Sequence, residues 1–303
     1  TRYWRDWSSD VCSSDLILNE FDRGDNEPTQ NLYQTVWSMA YLAHPYHHST
    51  IGWRSDIEQT TPEKLRAFYD TFYWPDNATL SIIGDIDREQ ALAWVHQYFG
   101  SLPKSTIPRP EVTIKEPQQR GERRITVRKE AELGSVMIAF KNPEGLHTDN
   151  DALDMLSMVL GSGKNSRLYR ALTDQGLTVA AYAANSRHRD PGLFYLFGYQ
   201  AMGVRHAKIE KAILKVIKEV QKNGITQEEL DRARQKIKTS MAFDRDGSYN
   251  IASELNEAIA IGDWKFYTEY VTRIGAVTVA DVQRVAQTYL IEDRRTIGWH
   301  LPK

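Results

Sequence analysis

Apolar and polar positions change their spacing along this chain, and the changes predict separate strands and helices. Short apolar runs indicate strands, and apolar residues three or four positions apart indicate helices. From residue 121 onward, strands are predicted at 124–128, 135–140, 177–185, 193–199 and 295–299. Helices are predicted at 149–160, 166–173, 207–223 and 226–243, with more helix up to Leu290. Because the strands come in groups, the pattern favours an α+β fold, with helices packed on a mostly antiparallel sheet.

The part of the chain before residue 106 is predicted to be mainly helical. Helices are expected at 17–27, 31–43 and 88–99. Thr61 and Pro62 are residue types that begin helices, so another helix is predicted from there through Phe72. After a turn at Pro75, residues 78–83 are predicted to form a strand.

The helix and strand that follow Thr61 recur near the C-terminus. The matching pairs include Thr61/Thr278, Phe72/Tyr289, Asp76/Asp293 and Thr79/Thr296, and each pair is 217 positions apart. Small structural repeats have periods of roughly 20 to 50 residues. The longer offset therefore indicates two copies of a whole domain. We predict that residues 57–83 and 274–300 fold alike, each as a helix followed by a sheet strand.

The repeat and the proline content together predict the domain organisation. Four prolines fall between residues 103 and 117 with few apolar neighbours, so 106–120 is predicted to be a Pro-rich linker. It would separate 17–105, the C-terminal part of a first domain, from a second domain at 121–303. By the repeat, a complete first domain would begin about a hundred residues before Thr1, so we expect a truncated fragment. Residues 1–16 have no period and are expected to be non-native or disordered.

Composition excludes several classes of protein. The chain has 303 residues, of which 41% are apolar, which is enough to give two domains a core. A net charge of −2 and a pI of about 6.4 do not suggest a nucleic-acid binder. No apolar run approaches the ~18 residues that a membrane span needs. Cys12 is the only cysteine, which excludes a disulfide framework and a cysteine metal site.

Three histidines at positions 44, 47 and 48 have spacings that would suit a metal on a helix. Pro45 lies among them and makes a helix there unfavourable. We therefore expect a surface loop rather than a metal site.

The segment Gly161-Ser162-Gly163-Lys164 has some of the residues of a phosphate-binding loop. Asn165 stands where that motif needs Ser or Thr, and Met158 stands where it needs its first Gly. A helix C-terminus followed by a turn explains the segment better, and a nucleotide-binding protein is not favoured.

A series of short motifs resembles the M16 (insulinase, pitrilysin and processing-peptidase) family of zinc metallopeptidases. In the first half these motifs are Ala43-His44-Pro45-Tyr46, Ile51-Gly52-Trp53, Phe-Tyr-x-x-Phe-Tyr at 68–73, Asp76-Asn77-Ala78-Thr79-Leu80 and Gly84-Asp85-Ile86. In the second half, Leu160-Gly161-Ser162-Gly163 is followed by Ser166-Arg167-Leu168-Tyr169. The resemblance covers residues 17–303. It implies tandem α+β domains that form a clam-like chamber, in agreement with the repeat.

The resemblance also implies a Zn²⁺ site. The family places an inverted motif, His-x-x-Glu-His, on a first-domain helix, and a glutamate on a later helix is the third ligand. This chain contains no His-x-x-Glu-His, so no catalytic residue is predicted in it. Glu20 matches the position of the third ligand. The resemblance therefore implies a fragment of a zinc metalloendopeptidase, inactive as it stands, with Glu20 as a metal ligand in the complete protein.

Family members bind the substrate with an arginine and a tyrosine of the second domain. The positions where we would align these two hold Leu172 and Val179, which departs from the pattern. Nearby substitutes are Arg167, Tyr169 and Arg170, for which a packing role is an equal or better explanation. The resemblance further suggests that an extended peptide adds to the strand at 177–185.

The expected partners are a peptide or protein substrate and a second M16-like subunit, without nucleic acid. A bacterial periplasmic or cell-envelope location is the expectation. The alternative function is a non-catalytic M16-like subunit that binds peptide or completes the chamber of an active partner.

Overall fold

The computed structural model describes residues 11–303. The first part is helical, with α1 at Val11–Asn26, α2 at Pro28–Ala40, α3 at Arg54–Glu58, α4 at Pro62–Phe72 and α5 at Arg88–Phe99. The second part holds the strands β1 Arg123–Lys129, β2 Ser135–Lys141, β3 Thr178–Ser186, β4 Leu193–Gln200 and β5 Arg295–Pro302. Its helices are α6 Asp149–Gly161, α7 His206–Asn223, α8 Gln227–Asp244, α9 Ser248–Ile261, α10 Lys265–Ala276 and α11 Val279–Tyr289. A short helical segment, Tyr169–Thr173, lies between α6 and β3.

The five strands form one sheet in the order β1-β5-β2-β4-β3. Only β1 and β5 pair in parallel, and the other neighbours are antiparallel. The prediction of an α+β fold with a mostly antiparallel sheet is confirmed. All five predicted strands of the second part lie within two or three residues of their observed bounds, since their apolar runs face a packed core.

The sheet is covered on both faces. On one face, the main core includes Leu153 and Leu156 of α6, Ile213 of α7 and Val282 of α11. On the other face, Leu32, Val36 and Trp37 of α2 belong to a second core cluster with Met137 and Phe197 of the sheet. A helix from the predicted first domain therefore completes the packing of the second.

The 217-residue repeat is visible in the helices. Helix α4 spans Pro62–Phe72, and helix α11 spans Val279–Tyr289. Both ends of α11 lie 217 positions after the corresponding ends of α4. Short 3₁₀ helices follow at Pro75–Asn77 and Glu292–Arg294 with the same shift. Thr61 and Thr278 are both N-caps, and the side chain of each accepts a hydrogen bond from the backbone N–H three residues later. This part of the repeat prediction is confirmed.

The predicted strand at 78–83 is not a strand among the described residues, and that part of the prediction is wrong. Its counterpart β5 lies between β1 and β2, which satisfy its backbone groups on both sides. Residues 78–83 have no such neighbours in the described part of the chain. Leu80 and Ile82 are exposed. An apolar run favours a strand, but a strand also needs neighbouring strands to hydrogen-bond its backbone N–H and C=O groups.

Two helices of the first half extend further toward the N-terminus than predicted. Helix α2 begins at Pro28 rather than at residue 31, because Glu27 is its N-cap and accepts from Gln30 N. The described part of α1 extends back to Val11, inside the segment predicted to be non-native or disordered. Ser and Asp, which dominate that segment, are favourable near helix N-termini, so its composition does not exclude helix. The rest of that segment, residues 1–10, lies outside the described residues.

The predicted linker at 106–120 contains no helix or strand, yet Glu116 fixes it to the fold. Its carboxylate accepts from the backbone N–H groups of Leu42, Ala43 and His44, and lies 3.3 Å from Lys141 Nζ. Burial alone would raise the pKa of Glu116, but the three backbone donors outweigh it and hold the pKa below its usual value. Within residues 11–303, no helix has the length and hydropathy needed to cross a bilayer.

Candidate functional site

The main cavity around the predicted metal ligand lies between the α1–α2 helix pair and the end of strand β3. Its volume is about 610 Å³. Glu20 and Phe21 of α1 line one side, and Tyr33 and Trp37 of α2 line another. The remaining lining includes Tyr46, His48, Thr50 and His188. Glu20 therefore faces a cavity shared by the two halves of the chain.

A tight connection between α1 and α2 positions Glu20. One residue, Glu27, separates the two helices. Asn31 Nδ2 donates to Asp25 Oδ1 at 2.8 Å, and Lys129 Nζ donates to Asp25 Oδ2 at 2.7 Å. The end of α1 is thus held against strand β1, while α2 packs on the sheet. The residues of α1 that precede this anchor extend over the cavity.

The described residues do not by themselves fit a zinc ion. Zinc in proteins usually has four ligands, and catalytic sites use three side chains plus water. Among the side chains that the structure describes, no three of His, Cys, Asp or Glu come close enough together to hold a metal. Glu20 is exposed in the cavity, and its carboxylate makes no hydrogen bond or ion pair with another described side chain. Its carboxylate could supply one zinc ligand, but the other ligands would have to come from elsewhere.

Aromatic rings form the wall of the cavity opposite Glu20. His188 lies 5.2 Å from Trp37 and 5.2 Å from Tyr46 between ring centroids, and Trp37 lies 5.7 Å from Tyr33. Burial lowers the pKa of His188 below its usual value, which favours the neutral form of the ring. Ser186 Oγ is 3.0 Å from His188 Nε2. Sequence reasoning missed Tyr33, Trp37 and His188, while Tyr46 was visible only as part of the His-Pro-Tyr motif.

Strand β3 is an edge of the sheet. Among the described strands it pairs with β4 only. Ala181 and Ala183 pack on the main core, whereas Tyr182 packs on the opposite face with the α2 cluster. The strand ends at Ser186, two residues before His188, which lines the cavity. The strand suggested for peptide binding has a free edge that leads toward Glu20.

Arg167, Tyr169 and Arg170 lie away from this cavity. Arg167 donates from Nε and Nη2 to the two carboxylate oxygens of Glu229, at 2.8 and 2.7 Å, and from Nη2 to Gly224 O at 3.1 Å. Arg170 is 3.5 Å from Glu229 and its side chain is 57% exposed. These contacts favour a packing role for Arg167 and a surface position for Arg170. Tyr169 is half-buried in the short helical segment.

The two aligned positions differ in their surroundings. Leu172 is fully buried in the main core, whereas Val179 is 57% exposed on the edge strand β3. A side chain at position 179 can therefore meet a peptide on this edge, while one at position 172 stabilises the core.

The histidine group is not the uniform surface loop that we expected. His44 is buried, and its Nδ1 accepts from Tyr46 N at 3.2 Å. Its Nε2 lies 3.5 Å from Asp190 Oδ2. His48 is exposed and lines the cavity with Glu20. The prediction was wrong for His44 because the residue caps the 3₁₀ helix Pro45–His47, a local role that burial by the second half reinforces.

The second half contains a counterpart of the cavity without a metal-ligand set. Ile237 stands 217 positions after Glu20 and lines a cavity of about 370 Å³ together with Asp154 and Met158 of α6. Asp154 Oδ2 accepts from Tyr270 Oη at 2.6 Å and also pairs with Arg187. Ile237 has no metal-binding atom, and the Asp154 carboxylate is already paired with Tyr270 and Arg187. This cavity therefore offers no free metal ligand from either residue.

The glycine-rich segment after α6 is the end of a helix, as predicted. Helix α6 ends at Gly161, and Gly163 has a φ of 78°, a conformation that favours glycine. A Cβ on Gly161 would come within 2.1 Å of Ala183 N, so glycine here lets α6 approach the edge strand β3.

Comparisons with known proteins agree on one family. The family profile described as Peptidase M16 inactive domain matches residues 59–237. The zinc protease PqqE of Helicobacter pylori is 30% identical over 279 residues, which cover 90% of this chain and 62% of that protein. The crystal structure of a protease from Helicobacter pylori has a TM-score of 0.93 at 28% identity, covering 98% of this chain and 73% of that one. The peptidase M16 inactive domain from Pseudomonas fluorescens shares the fold, with a TM-score of 0.85 at 22% identity, over 98% of this chain and 70% of that one. This chain thus spans about 62% of the length of the curated Helicobacter pylori relative.

Proposed function

Because the chain belongs to the peptidase M16 family, we propose that it supplies a zinc ligand and the peptide-binding half of a zinc metalloendopeptidase. One observation carries the proposal: Glu20 lines a cavity together with His188, which follows the end of the free edge strand β3 by two residues. The proposed zinc ligand and the proposed substrate strand therefore meet at one place. The remaining ligands and the general base would come from a polypeptide with a His-x-x-Glu-His motif, which residues 1–303 do not contain.

The proposed substrate contact is the addition of an extended peptide to β3. An edge strand presents a row of unpaired backbone N–H and C=O groups, which a peptide strand satisfies. Main-chain hydrogen bonds would give affinity for many sequences, and this suits an endopeptidase. The other edge, β1, is less available, because its Arg123 donates to Met39 O and Ala40 O and its Lys129 pairs with Asp25.

Backbone-methylated peptides test this contact without altering the protein. In a strand, alternate residues direct their N–H groups to the same edge. Methylating one alternate set of amides in a bound peptide should therefore abolish binding, and methylating the other set should leave it nearly unchanged. Fluorescence anisotropy of a labelled heptapeptide measures both. Equal affinities for the two methylated peptides would contradict peptide addition to a sheet edge.

A non-catalytic M16-like subunit is the second candidate function. It is favoured by the match to an inactive-domain profile and by Ile237 at the position equivalent to Glu20. This candidate predicts peptide binding without zinc dependence, even beside a polypeptide that carries His-x-x-Glu-His. The identity of the substrate, a second M16-like subunit and a periplasmic or cell-envelope location stay predictions.

A further inference from the structure

We infer that a cavity between the linker and the end of β2 binds a small zwitterion, a free amino acid with an apolar side chain. This cavity, which we call the linker cavity, has a volume of about 540 Å³. It shares no lining residue with the cavity beside Glu20, so the inference goes beyond the proposed function and does not depend on it.

The linker cavity is formed by segments that are distant in sequence. It is lined by the loop after α2, the linker, the end of β2, the loop before β4 and the end of α11, at residues that include Tyr41, Glu116, Lys141, Asp190 and Tyr289. Glu116 fixes these walls to one another, since its carboxylate binds backbone N–H groups of the loop after α2 and lies beside Lys141 of β2. The volume falls within the range of small-ligand pockets, roughly 300 to 1,000 Å³.

Buried polar atoms of the lining have unused hydrogen-bonding capacity of both kinds. Two are donors, Lys141 Nζ and His44 Nε2, and two are acceptors, Gln119 Oε1 and Asn142 Oδ1. None of the four makes a hydrogen bond with a described residue. Nδ1 of His44 accepts from Tyr46 N, so the proton of the neutral ring is on Nε2. A buried polar group without a hydrogen bond costs free energy, so a ligand that offers both an acceptor and a donor is favoured here.

Nearby carboxylates do not satisfy the two donors. Lys141 Nζ lies 3.3 Å from Glu116 Oε1, and His44 Nε2 lies 3.5 Å from Asp190 Oδ2, but neither contact is aligned as a hydrogen bond. The same Nζ lies 3.4 Å from the centroid of the Tyr41 ring. A ligand carboxylate can take up this unused donor capacity in charge-assisted hydrogen bonds, which are stronger than neutral ones.

The rim of the linker cavity carries charges of both signs. Four Lys or Arg side chains and three carboxylates line the cavity. Among them, Lys115, Arg189 and Glu144 are exposed and make no ion pair with a described side chain. A simple anion would be repelled by the carboxylates, and a simple cation would be repelled by the basic side chains. A zwitterion places one charge beside each kind of partner.

Apolar groups form much of the remaining lining. Tyr41 and Pro143 are buried, and Ile114, Pro117 and Pro191 are exposed. An apolar side chain that packs against these groups is removed from water, which favours binding. A side chain of the size of leucine therefore suits the cavity better than the hydrogen atom of glycine.

Blocked derivatives of leucine test the requirement for both charges. N-acetylleucine lacks the ammonium group, leucinamide lacks the carboxylate, and glycine lacks the side chain. Isothermal titration calorimetry with the full chain measures the binding of each. Leucine should bind at least about 10-fold tighter than any of the three, because each of them loses charge-assisted hydrogen bonds or apolar burial.

Charge reversals on the rim locate the site. Arg189→Glu should repel the ligand carboxylate and Glu144→Lys should repel the ammonium group, and each should weaken leucine binding by about 5- to 10-fold. Both positions are exposed, so the fold should be retained, as circular dichroism checks. The matched controls are Arg88→Glu and Glu89→Lys, at exposed positions of α5 outside the lining, which should bind leucine as the wild type does.

Three results would overturn the inference. They are the absence of leucine binding up to about 10 mM, equal affinity for leucine and any of the other three compounds, and unchanged leucine binding in both rim variants. None of these results bears on the peptide contact at β3, which the backbone-methylated peptides test separately.

Discussion

Glu229 is a buried carboxylate whose charge depends on its neighbours. Burial alone would raise its pKa, but the hydrogen bonds from Arg167 and from Thr226 N, with the charge of Arg170, lower it to about 2. In the unfolded chain the pKa is near its usual value of about 4.3. A lowered folded pKa stabilises the fold above the unfolded value, and this contribution is lost as the pH falls from about 4.3 toward 2.

Removing the guanidinium of Arg167 should be costly. In Arg167→Met, Glu229 keeps its burial but loses its main partner, so we expect a loss of about 3 kcal/mol in the free energy of unfolding at pH 7. Arg170→Met is the control, since the exposed Arg170 side chain should contribute less than about 1 kcal/mol. Urea denaturation measures both. Equal losses would contradict the packing role assigned to Arg167.

Lys141 should make stability increase at alkaline pH. Burial, partly offset by Glu116, lowers the pKa of Lys141 to about 8, against about 10.4 in the unfolded chain. Below pH 8 the lysine is charged in both states. Between about pH 8 and 10.4 the folded state loses its proton first, so the stability should rise across this window. The stability of wild type relative to Lys141→Met should therefore grow from pH 8 to 10.4, as urea denaturation at a series of pH values would measure.

At the scale of elements, helix α2 links the two halves of the chain. It packs on β5 at Gly298, where a Cβ would come within 2.3 Å of Val36 Cγ2 and 2.9 Å of Leu32 Cδ1. Only glycine lets α2 approach the sheet this closely. The repeat places Ser81 at the position equivalent to Gly298, and Ser81 Oγ is hydrogen-bonded to Asn256 of α9 at 2.9 Å. In each half, a residue at this repeat position thus contacts a helix of the other half: Gly298 contacts α2, and Ser81 contacts α9.

A methyl group at Gly298 should disturb this packing. Gly298→Ala should destabilise the fold by about 1–3 kcal/mol, because overpacking forces α2 away from β5. Gly275→Ala is the control, since a Cβ there meets nothing within 4 Å and alanine favours the helix. Thermal unfolding compares the two. A neutral Gly298→Ala would show that α2 is not held at this close approach.

Local sequence patterns predicted the helices and strands of the second half well, but they did not predict which elements pack or pair with one another. The capping box at Thr226 and Glu229 and the apolar runs of β1 to β5 were predicted because propensity and core packing agree there. Residues 78–83 have the same pattern, but the described residues provide no strand beside them. The cavity was beyond sequence reasoning, since Trp37 and His188 are 151 positions apart and meet only after α2 docks on the sheet.

At the scale of the molecule, the two halves have different roles. The first contributes α1 with Glu20, and the second contributes the sheet with its free edge β3. The cavity lies where they meet, and its counterpart around Ile237 has no ligand set. The central claim is that Glu20 becomes a zinc ligand when a polypeptide with His-x-x-Glu-His joins this chain.

The most direct test is the zinc content of that complex, measured by mass spectrometry after co-purification with a first-half M16 polypeptide carrying His-x-x-Glu-His. We predict that the wild-type complex binds zinc and cleaves peptides, and that Glu20→Gln weakens zinc binding by at least about 10- to 100-fold. Glu89→Gln, at an exposed position of α5, should retain both properties. Absence of zinc and activity from the wild-type complex would favour the non-catalytic subunit, and equal zinc content and activity in Glu20→Gln would contradict the assignment of Glu20.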